Sequence, residues 1–600
     1  MTGTFASRLK PFAGSAIILL AAAVAVAPLL FRGPACGSDF HFHFASWLDA
    51  RRSFLLGIPY PHWAAAPNLG AGEPRFVFYP PLTWMAGAAL GLILPWKMVP
   101  VVLTFLLLAA TGFANRKLAR EALDDEAATL AGCAAIFFGY ALFTVYKRAA
   151  YAELAGGFWI PLLLLYLLRD RNPEKGLWAR AFDGSTVPLA LVIAGAWLSN
   201  SPVGVMASYL LAAMAVAIAV VGKSWAPVLR AAVAGALGLT LPAVYLVPAA
   251  WEQLWANVWF AVSVPHYRIE NSWLFARHAD AKLYAHDVVL TATSWIAVIM
   301  LAVAVVGLMI AWLRGTLPGE RRWWLPLALI PPVVLFLLLP VSLPVWNLLP
   351  KLRFLQFPWR WLLVLEAPMA VFFASAVWPR SRRARIAVIA ACGILFVAIS
   401  AYAGSHWYVD CANTEKSILT AMEDGNGVVG KREYAPPGVP YPLVDVPGPS
   451  VCLTRDPQSP EGQDGPGPVP AWSPLARCTG SFVAAMHLPE HKRLLGVADR
   501  AGYLIARLRS YPAWHVTVNG QPVTPAVERQ YGLMAIPVPQ GHVDISVDWT
   551  TTTDVVVGRW LSGIALLCLI FLWFLEESPE SSENVATPSS PESLSPPQLS

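Results

Sequence analysis

Apolar stretches long enough to cross a bilayer recur along almost the whole chain, and nothing constrains its fold more. They lie at about 12 to 31, 98 to 114, 127 to 146, 153 to 168, 186 to 199, 203 to 221, 231 to 250, 289 to 313, 323 to 341, 361 to 378, 386 to 403 and 555 to 575. At 1.5 Å per residue, about 20 residues cross a hydrocarbon core of about 30 Å. The expectation is a polytopic α-helical membrane protein with about 12 to 13 helices. Composition agrees: 56% of the 600 residues are hydrophobic and 13% charged, too few charges to clothe a soluble surface of that size. The net charge of +6 does not point to nucleic acid, because Lys and Arg stand in short clusters between apolar runs. The basic start MTGTFASRLK leads into about 20 apolar residues, longer than a signal-peptide core, so it reads as a retained helix.

Loop charge gives orientation, since cytoplasmic loops keep Lys and Arg. With the N-terminus inside, the inner connections are NRKLARE (115 to 121), RDRNPEKGLWAR (169 to 180), GKSW (222 to 225), RGTLPGERR (314 to 322) and PRSRRAR (379 to 385), all basic. The alternation holds only if the short apolar stretch from Leu82 to Trp96 is an interfacial or re-entrant helix at the outer face. Both termini are then cytoplasmic.

Four parts are expected: a transmembrane domain over 1–403, an extracytoplasmic domain over 404–553, a last span at 554–575, and a Ser/Pro/Glu tail over 576–600 with too little apolar content to fold. The first half of 404–553 is rich in Pro and Gly. Its second half alternates with period two around an Asn519-Gly520 turn and again in HVDISVDWT, the pattern of a small β-sandwich. Cys133, Cys392 and Cys568 fall in spans, whereas Cys36, Cys411, Cys452 and Cys478 fall outside. Those four allow three pairings, and a pair within the extracytoplasmic domain is expected.

The first loop, Gly37 to Pro81, concentrates acids, imidazoles and aromatics. In an extended segment Asp39, His41 and His43 would share a face, an arrangement suited to a general base or to a divalent metal held by Asp39 and His41. Alternatively Asp39 caps a surface helix whose Phe40, Phe44, Trp47 and Leu48 enter the bilayer while Asp49, Arg51 and Arg52 stay wet. Tyr60, His62, Trp63, Asn68, Glu73, Arg75 and Tyr79 follow in a Gly/Pro-rich stretch, as interface anchors or a sugar-stacking wall. The second outer loop holds Lys147, Arg148, Tyr151 and Glu153. Farther on, Lys351, Arg353 and Arg360 interleave with aromatics, placed to snorkel or to grip a lipid phosphate. Walker, dinucleotide and GxSxG motifs in a supporting context are absent, so the energy for any reaction must come with an activated substrate or an ion gradient.

Three stretches, GSDFHFHFASWLDARRSFLLGIPYPHWAAAPNLGAGEPRFVFYPPLTW, RAAYAELAG and LRFLQFPWRWL, together resemble bacterial membrane proteins labelled 6-pyruvoyl-tetrahydropterin synthase-related, akin to YfhO-type proteins and grouped with the GT-C glycosyltransferases. The resemblance covers nearly the whole chain, including YPAWHVTVNGQPV. It implies a GT-C-like transferase of the bacterial inner membrane. Such an enzyme takes a sugar from a polyprenyl-phosphate donor and passes it to a glycan, lipid or protein acceptor at the outer face.

Asp39 occupies the place of the first-loop acid and Glu153 that of the second. Where many relatives have two adjacent acids, Phe40 follows Asp39, so His41 would have to stand in, and Mg or Mn is the cofactor in question. The catalytic candidates are Asp39, Glu153 and His41. The substrate-binding candidates are His43, His62, Trp63, Glu73, Arg75, Tyr79, Arg148, Tyr151, Lys351, Arg353 and Arg360. Two other classes compete: a transporter or flippase of a lipid-linked glycan, for which Glu366 is the main mid-span acid, and a non-catalytic envelope scaffold.

Overall fold

The computed structural model describes residues 3–169, 176–445, 448–457 and 481–577. Among them, nine helices are long and apolar enough to cross a membrane: Ala13–Arg32, Trp96–Ala119, Asp125–Arg148, Tyr151–Leu168, Ser201–Gly222, Ala281–Leu313, Pro358–Val377, Arg382–Trp407 and Thr553–Leu575. Two further spans are bent pairs, Ala226–Thr240 with Ala243–Leu254 at 71° and Arg321–Leu337 with Pro340–Leu348 at 95°. Pro242 and Pro340 stand at those breaks, where a missing N–H and a ring clash interrupt the helix ladder. Gly184–Ser199 is apolar but shorter. These twelve elements correspond to the twelve expected stretches.

Contacts sort the connections into two sets. Arg169 pairs with Glu121, Arg385 Nη1 with Glu126 Oε2 at 2.7 Å, and Arg230 donates to the carbonyls of Arg169 and Ser185 at 2.9 and 2.8 Å. The basic connections thus meet one another at one face. At the other face Cys36 is bonded to Cys411, and Tyr209 Oη donates to Pro350 O at 2.8 Å. The helix Pro81–Ile93 begins and ends on this second face: Thr83 Oγ1 donates to Ser199 O at 3.2 Å, and Trp96, just beyond its end, lies edge-on to Phe44 at 5.6 Å. It therefore makes no net crossing.

The second face carries two antiparallel sheets. One has the order β1(Val451–Thr454), β4(Gly502–Arg509), β8(Leu533–Val538), β7(Ala526–Val527); the other β2(Ser481–His487), β3(His491–Ala498), β9(Gly541–Trp549), β5(Trp514–Val518), β6(Gln521–Val523). Leu504 and Ile536 from the first and Val516, Ile545 and Val547 from the second share one core, which makes a sandwich. Asn519 and Gly520, at φ +50° and +77°, form the two-residue hairpin between β5 and β6, as their sequence predicts.

The segment after 403 departs from expectation. Its Pro- and Gly-rich composition argues for loops and extended segments, yet it forms the helix Thr414–Glu423 and packs Cys411, Ile418 and Val428 into one core with Phe40, Phe44 and Trp47 of the first loop. The Cys36–Cys411 bond joins this segment to the first loop. Cys452 is also disulfide-bonded. The tail beyond 577 lies outside the described residues.

Candidate functional site

The first helix ends at Arg32 and the next begins at Phe40, so Asp39 stands at the N-cap position of Phe40–Leu55. Its side chain makes no cap hydrogen bond. The backbone explains why: Asp39 N donates to Arg148 O at 2.9 Å, and Gly37 lies so close that an added Cβ would come within 2.4 Å of the Arg148 carbonyl carbon. Two residues of the first loop are thereby seated on the end of the span Asp125–Arg148, and the carboxylate turns to the Arg148 guanidinium.

That span ends irregularly. Thr144–Arg148 widens into a π turn, and Ala149 takes the left-handed conformation at φ +52°, reversing the chain so that Glu153 returns beside Arg148. Arg148 Nη1 donates to Glu153 Oε2 at 2.8 Å and Nη2 reaches Asp39 Oδ2 at 3.4 Å. From the other side of the sequence, Arg360 Nε donates to the same Glu153 Oε2 at 3.0 Å, while its Nη1 is held by Leu355 O at 2.6 Å and Gln356 Oε1 at 3.2 Å. Tyr140 Oη donates to the other oxygen of Glu153. Glu153 is 2% exposed and Arg148 and Arg360 under a tenth, whereas the Asp39 side chain is 37% exposed. The arrangement is a buried carboxylate that fixes two guanidinium groups, with one accessible carboxylate at its edge. Burial raises the Asp39 carboxyl, but Arg148, aided by His43, Lys431 and Arg360, lowers it below its ordinary value, so it is ionised at neutral pH.

Several expectations change. Because a helix, not an extended segment, follows Asp39, His41 does not share its face. His43 N instead donates to Asp39 O at 3.2 Å, placing that residue one turn on. His43 is buried among Phe42, Tyr79, Trp47 and Tyr151, and Tyr151 is itself 3% exposed, so both pack the site's floor rather than line open space. Burial drives both His41 and His43 down to about 4, which keeps the imidazoles neutral. Among the described residues no group of three or more His, Cys, Asp or Glu is arranged to hold a metal ion, and Asp39 with His41 supplies at most two ligands that face apart. The helix therefore does not bring Asp39 and His41 together as the pair expected to hold Mg or Mn. The surface-helix reading is also corrected: Phe40, Phe44 and Trp47 are wholly buried in protein, and Asp49 is buried too, accepting from Ala66 N at 3.1 Å.

The stretch from Tyr60 onward is mostly an internal joint, not a sugar-stacking wall. Trp63 is 1% exposed and packs on Tyr511, Trp514 and Trp549, inside the sandwich core. His62 stacks on Trp549, and its N–H donates to Glu490 at 2.7 Å. Glu73 and Arg75 form a fully buried pair at 2.7 Å, with Asn68 and the Lys431 N–H on the remaining Glu73 oxygen. Only Tyr79 of this stretch stays with the site: it is edge-on to Phe42 and electrostatically coupled to Asp39 and Arg360.

Of the cations near 351 to 360, Arg360 alone arrives. Arg353 is taken by Glu270, and Lys351 points to Gln253 at 3.5 Å. Tyr140, Gln356 and Lys431 belong to the site's surroundings and were not anticipated; Tyr267, from a loop whose sequence carries no readable geometry, lies near them. Tyr140 lies in an apolar run and Lys431 71 residues after Arg360, with no local motif to mark either.

No family model matches the chain, and no curated protein matches it in sequence. Solved structures similar to it include the apo oligosaccharyltransferase of Archaeoglobus fulgidus, at TM-score 0.41 and 13% identity over 67% of this chain and 57% of that one. Another is the mycobacterial arabinofuranosyltransferase AftD, at 0.36 and 16% over 65% of this chain and 27% of that one. A third is ArnT from Cupriavidus metallidurans bound to undecaprenyl phosphate, at 0.28 and 15% over 60% of this chain and 75% of that one. The chain therefore spans 57% and 27% of the lengths of the first two.

Proposed function

We propose that this chain is a membrane glycosyltransferase that moves a sugar from a polyprenyl-phosphate carrier to a glycan, lipid or protein acceptor at the face bearing the sandwich. The observation that carries this reading is the meeting of Asp39, Arg148, Glu153 and Arg360, contributed by three separate regions of the chain, at the end of two buried spans. The acceptor hydroxyl oxygen attacks the anomeric carbon and gives its proton to the ionised Asp39. The bond from that carbon to the phosphate oxygen breaks, and the lipid phosphate leaves with the electron pair. Arg360 and Arg148 face the charge that builds on the leaving phosphate, and fixed cations placed there lower the barrier. Glu153 touches no reactant in this scheme; it is a positioning residue that holds both guanidinium groups.

By loop charge, the sandwich face is the outer face and both termini are cytoplasmic; the bacterial inner membrane is what the family resemblance implies. The test is transfer from polyprenyl-phosphate sugars in membranes. Asp39→Asn should abolish transfer while leaving expression and folding intact, because the side chain is partly exposed and makes no cap bond. Unchanged transfer ends the proposal.

One feature favours a second reading, a carrier of lipid-linked glycans. Glu366, 2% exposed and mid-span, has no side-chain partner among the described residues, only the Ala141 backbone beside it, and it lines a small cavity of about 10 Å³, room for one water, with Glu153 and Tyr140. Under that reading Glu366→Gln stops lipid movement in proteoliposomes; under the first, it leaves sugar transfer near wild type.

A further inference from the structure

The segment around Lys431 is fixed to its surroundings on both sides. Val428 N donates to Ala66 O at 2.8 Å and Leu69 N to Val428 O at 3.1 Å, while Lys431 N donates to the buried Glu73 at 2.9 Å. Beyond it Tyr434 stacks on Phe78 at 5.8 Å, and Asn257 N donates to Ala435 O at 2.9 Å. The chain is therefore strapped across from the first loop to the 251 to 288 loop, and the Cys36–Cys411 bond ties its start to the residues just before Asp39.

The side chain of Lys431 is the part left over. Arg75 is satisfied by Glu73 and Ser46, Arg148 by Glu153 and Asp39, and Arg360 by Glu153, Leu355 and Gln356. Lys431 Nζ makes no hydrogen bond or ion pair among the described residues; it rests over the Phe42 ring at 5.4 Å. Glu433, two residues on, feels its charge but is not paired with it. The Phe42 ring under it also meets His43 and Tyr79, so the ammonium stands at the edge of the site, and its charge is felt by Asp39, His41 and His43. A half-buried ammonium with no hydrogen bond or ion pair among the described residues, held over the Phe42 ring at the site's edge, is where an arriving anion gains most. With Asp39 and Glu153 already offsetting Arg148 and Arg360, those four groups alone leave no net charge for a phosphate.

We propose that Lys431 is a phosphate-binding residue of the donor site, its Nζ taking a phosphate oxygen of the lipid-linked sugar beside Arg360. This rests on the transferase reading and adds a residue from the far side of the last-but-one span. A lone ammonium is a point charge suited to phosphate, and a charge-assisted hydrogen bond to it strengthens binding by roughly tenfold or more.

The experiment titrates the full chain in detergent with a short-chain polyprenyl phosphate, comparing wild type, Lys431→Gln and Lys431→Arg, with phosphatidylglycerol as the competing phosphate source. Lys431→Gln is expected to weaken polyprenyl-phosphate binding roughly tenfold and Lys431→Arg by less than about threefold. Thermal stability should hold in both, since the backbone bond to Glu73 does not use the side chain. If wild type binds and Lys431→Gln binds equally well, this inference is overturned while the transferase reading stands. An equal loss for phosphatidylglycerol assigns Lys431 to general anionic lipid and overturns it too. If the wild type neither binds polyprenyl phosphate nor transfers sugar, the transferase reading falls, and this inference with it.

Discussion

Asp39 and Arg148, 109 residues apart, are joined twice: Asp39 N donates to Arg148 O at 2.9 Å, and Arg148 Nη2 reaches Asp39 Oδ2 at 3.4 Å. The first bond fixes the carboxylate's backbone to the end of a span, and the second aims the side chain. Arg148 can do this only because its other nitrogen is held by Glu153.

Arg148→Lys keeps the charge but loses the fork that serves two carboxylates at once. Sugar transfer should fall on the order of a hundredfold while the protein still folds. Glu153→Gln should cost far more stability, about 3–5 kcal/mol, because it strands two buried guanidinium groups. Thermal unfolding in detergent, measured beside transfer, separates the two outcomes.

Gly37→Ala tests the close approach of the two loops. A Cβ within 2.4 Å of the Arg148 backbone forces the first loop away, at about 1–3 kcal/mol, and moves Asp39 with it. Transfer should drop more than stability. An alanine variant with full activity would show that Asp39 need not sit against Arg148.

Breaking the Cys36–Cys411 bond releases a tie across 375 residues of sequence. Cys36→Ser is expected to cost about 2–5 kcal/mol and to loosen the Lys431 segment. Limited proteolysis between 404 and 436 should become faster than in wild type, and reduction of the wild type should reproduce the change.

His43 supplies a pH test. Burial, outweighing the raising effect of Asp39 and helped by Lys431, Arg75 and Arg148, depresses its folded value to about 4. The unfolded chain then binds more protons between about 4 and about 6.5, so this residue's contribution to stability is full above about 6.5 and fades as pH falls toward 4. Histidine hydrogen exchange read by mass spectrometry should place His43 well below 6, and transfer should show no inflection near 6.5.

Much of the membrane architecture was legible because its cause is local. A run of about 20 apolar residues reports its own fate, and clustered Arg and Lys report a shared face, as the Arg169–Glu121 and Arg385–Glu126 contacts bear out. Local pattern also marked the hairpin at Asn519-Gly520. The first loop was harder. Its acids and aromatics looked alike in sequence, yet Asp39 is accessible while Glu73 and Arg75 are sealed in a structural pair and Trp63 belongs to the sandwich core. Nothing within the loop distinguishes these roles: Asp39 meets Arg148 109 residues on, Glu73 takes the Lys431 N–H 358 residues on, and Trp63 packs on Tyr511, Trp514 and Trp549.

The sequence by itself determined that this chain spans a membrane many times, which connections share a face, that a β-sandwich precedes the last span, and that Asp39, Glu153 and Arg360 are among the candidate site residues. Only the tertiary structure decided which of the marked residues meet. Arg360 reaches Glu153 while Lys351 and Arg353 turn away, His41 leaves the side of Asp39 because a helix turns it there, and Lys431 enters from a segment that carried no signal. The physical reason is that hydropathy and charge act over one helix length, whereas a site is assembled by side chains whose backbones are brought together by packing, a disulfide and a few buried hydrogen bonds between distant segments.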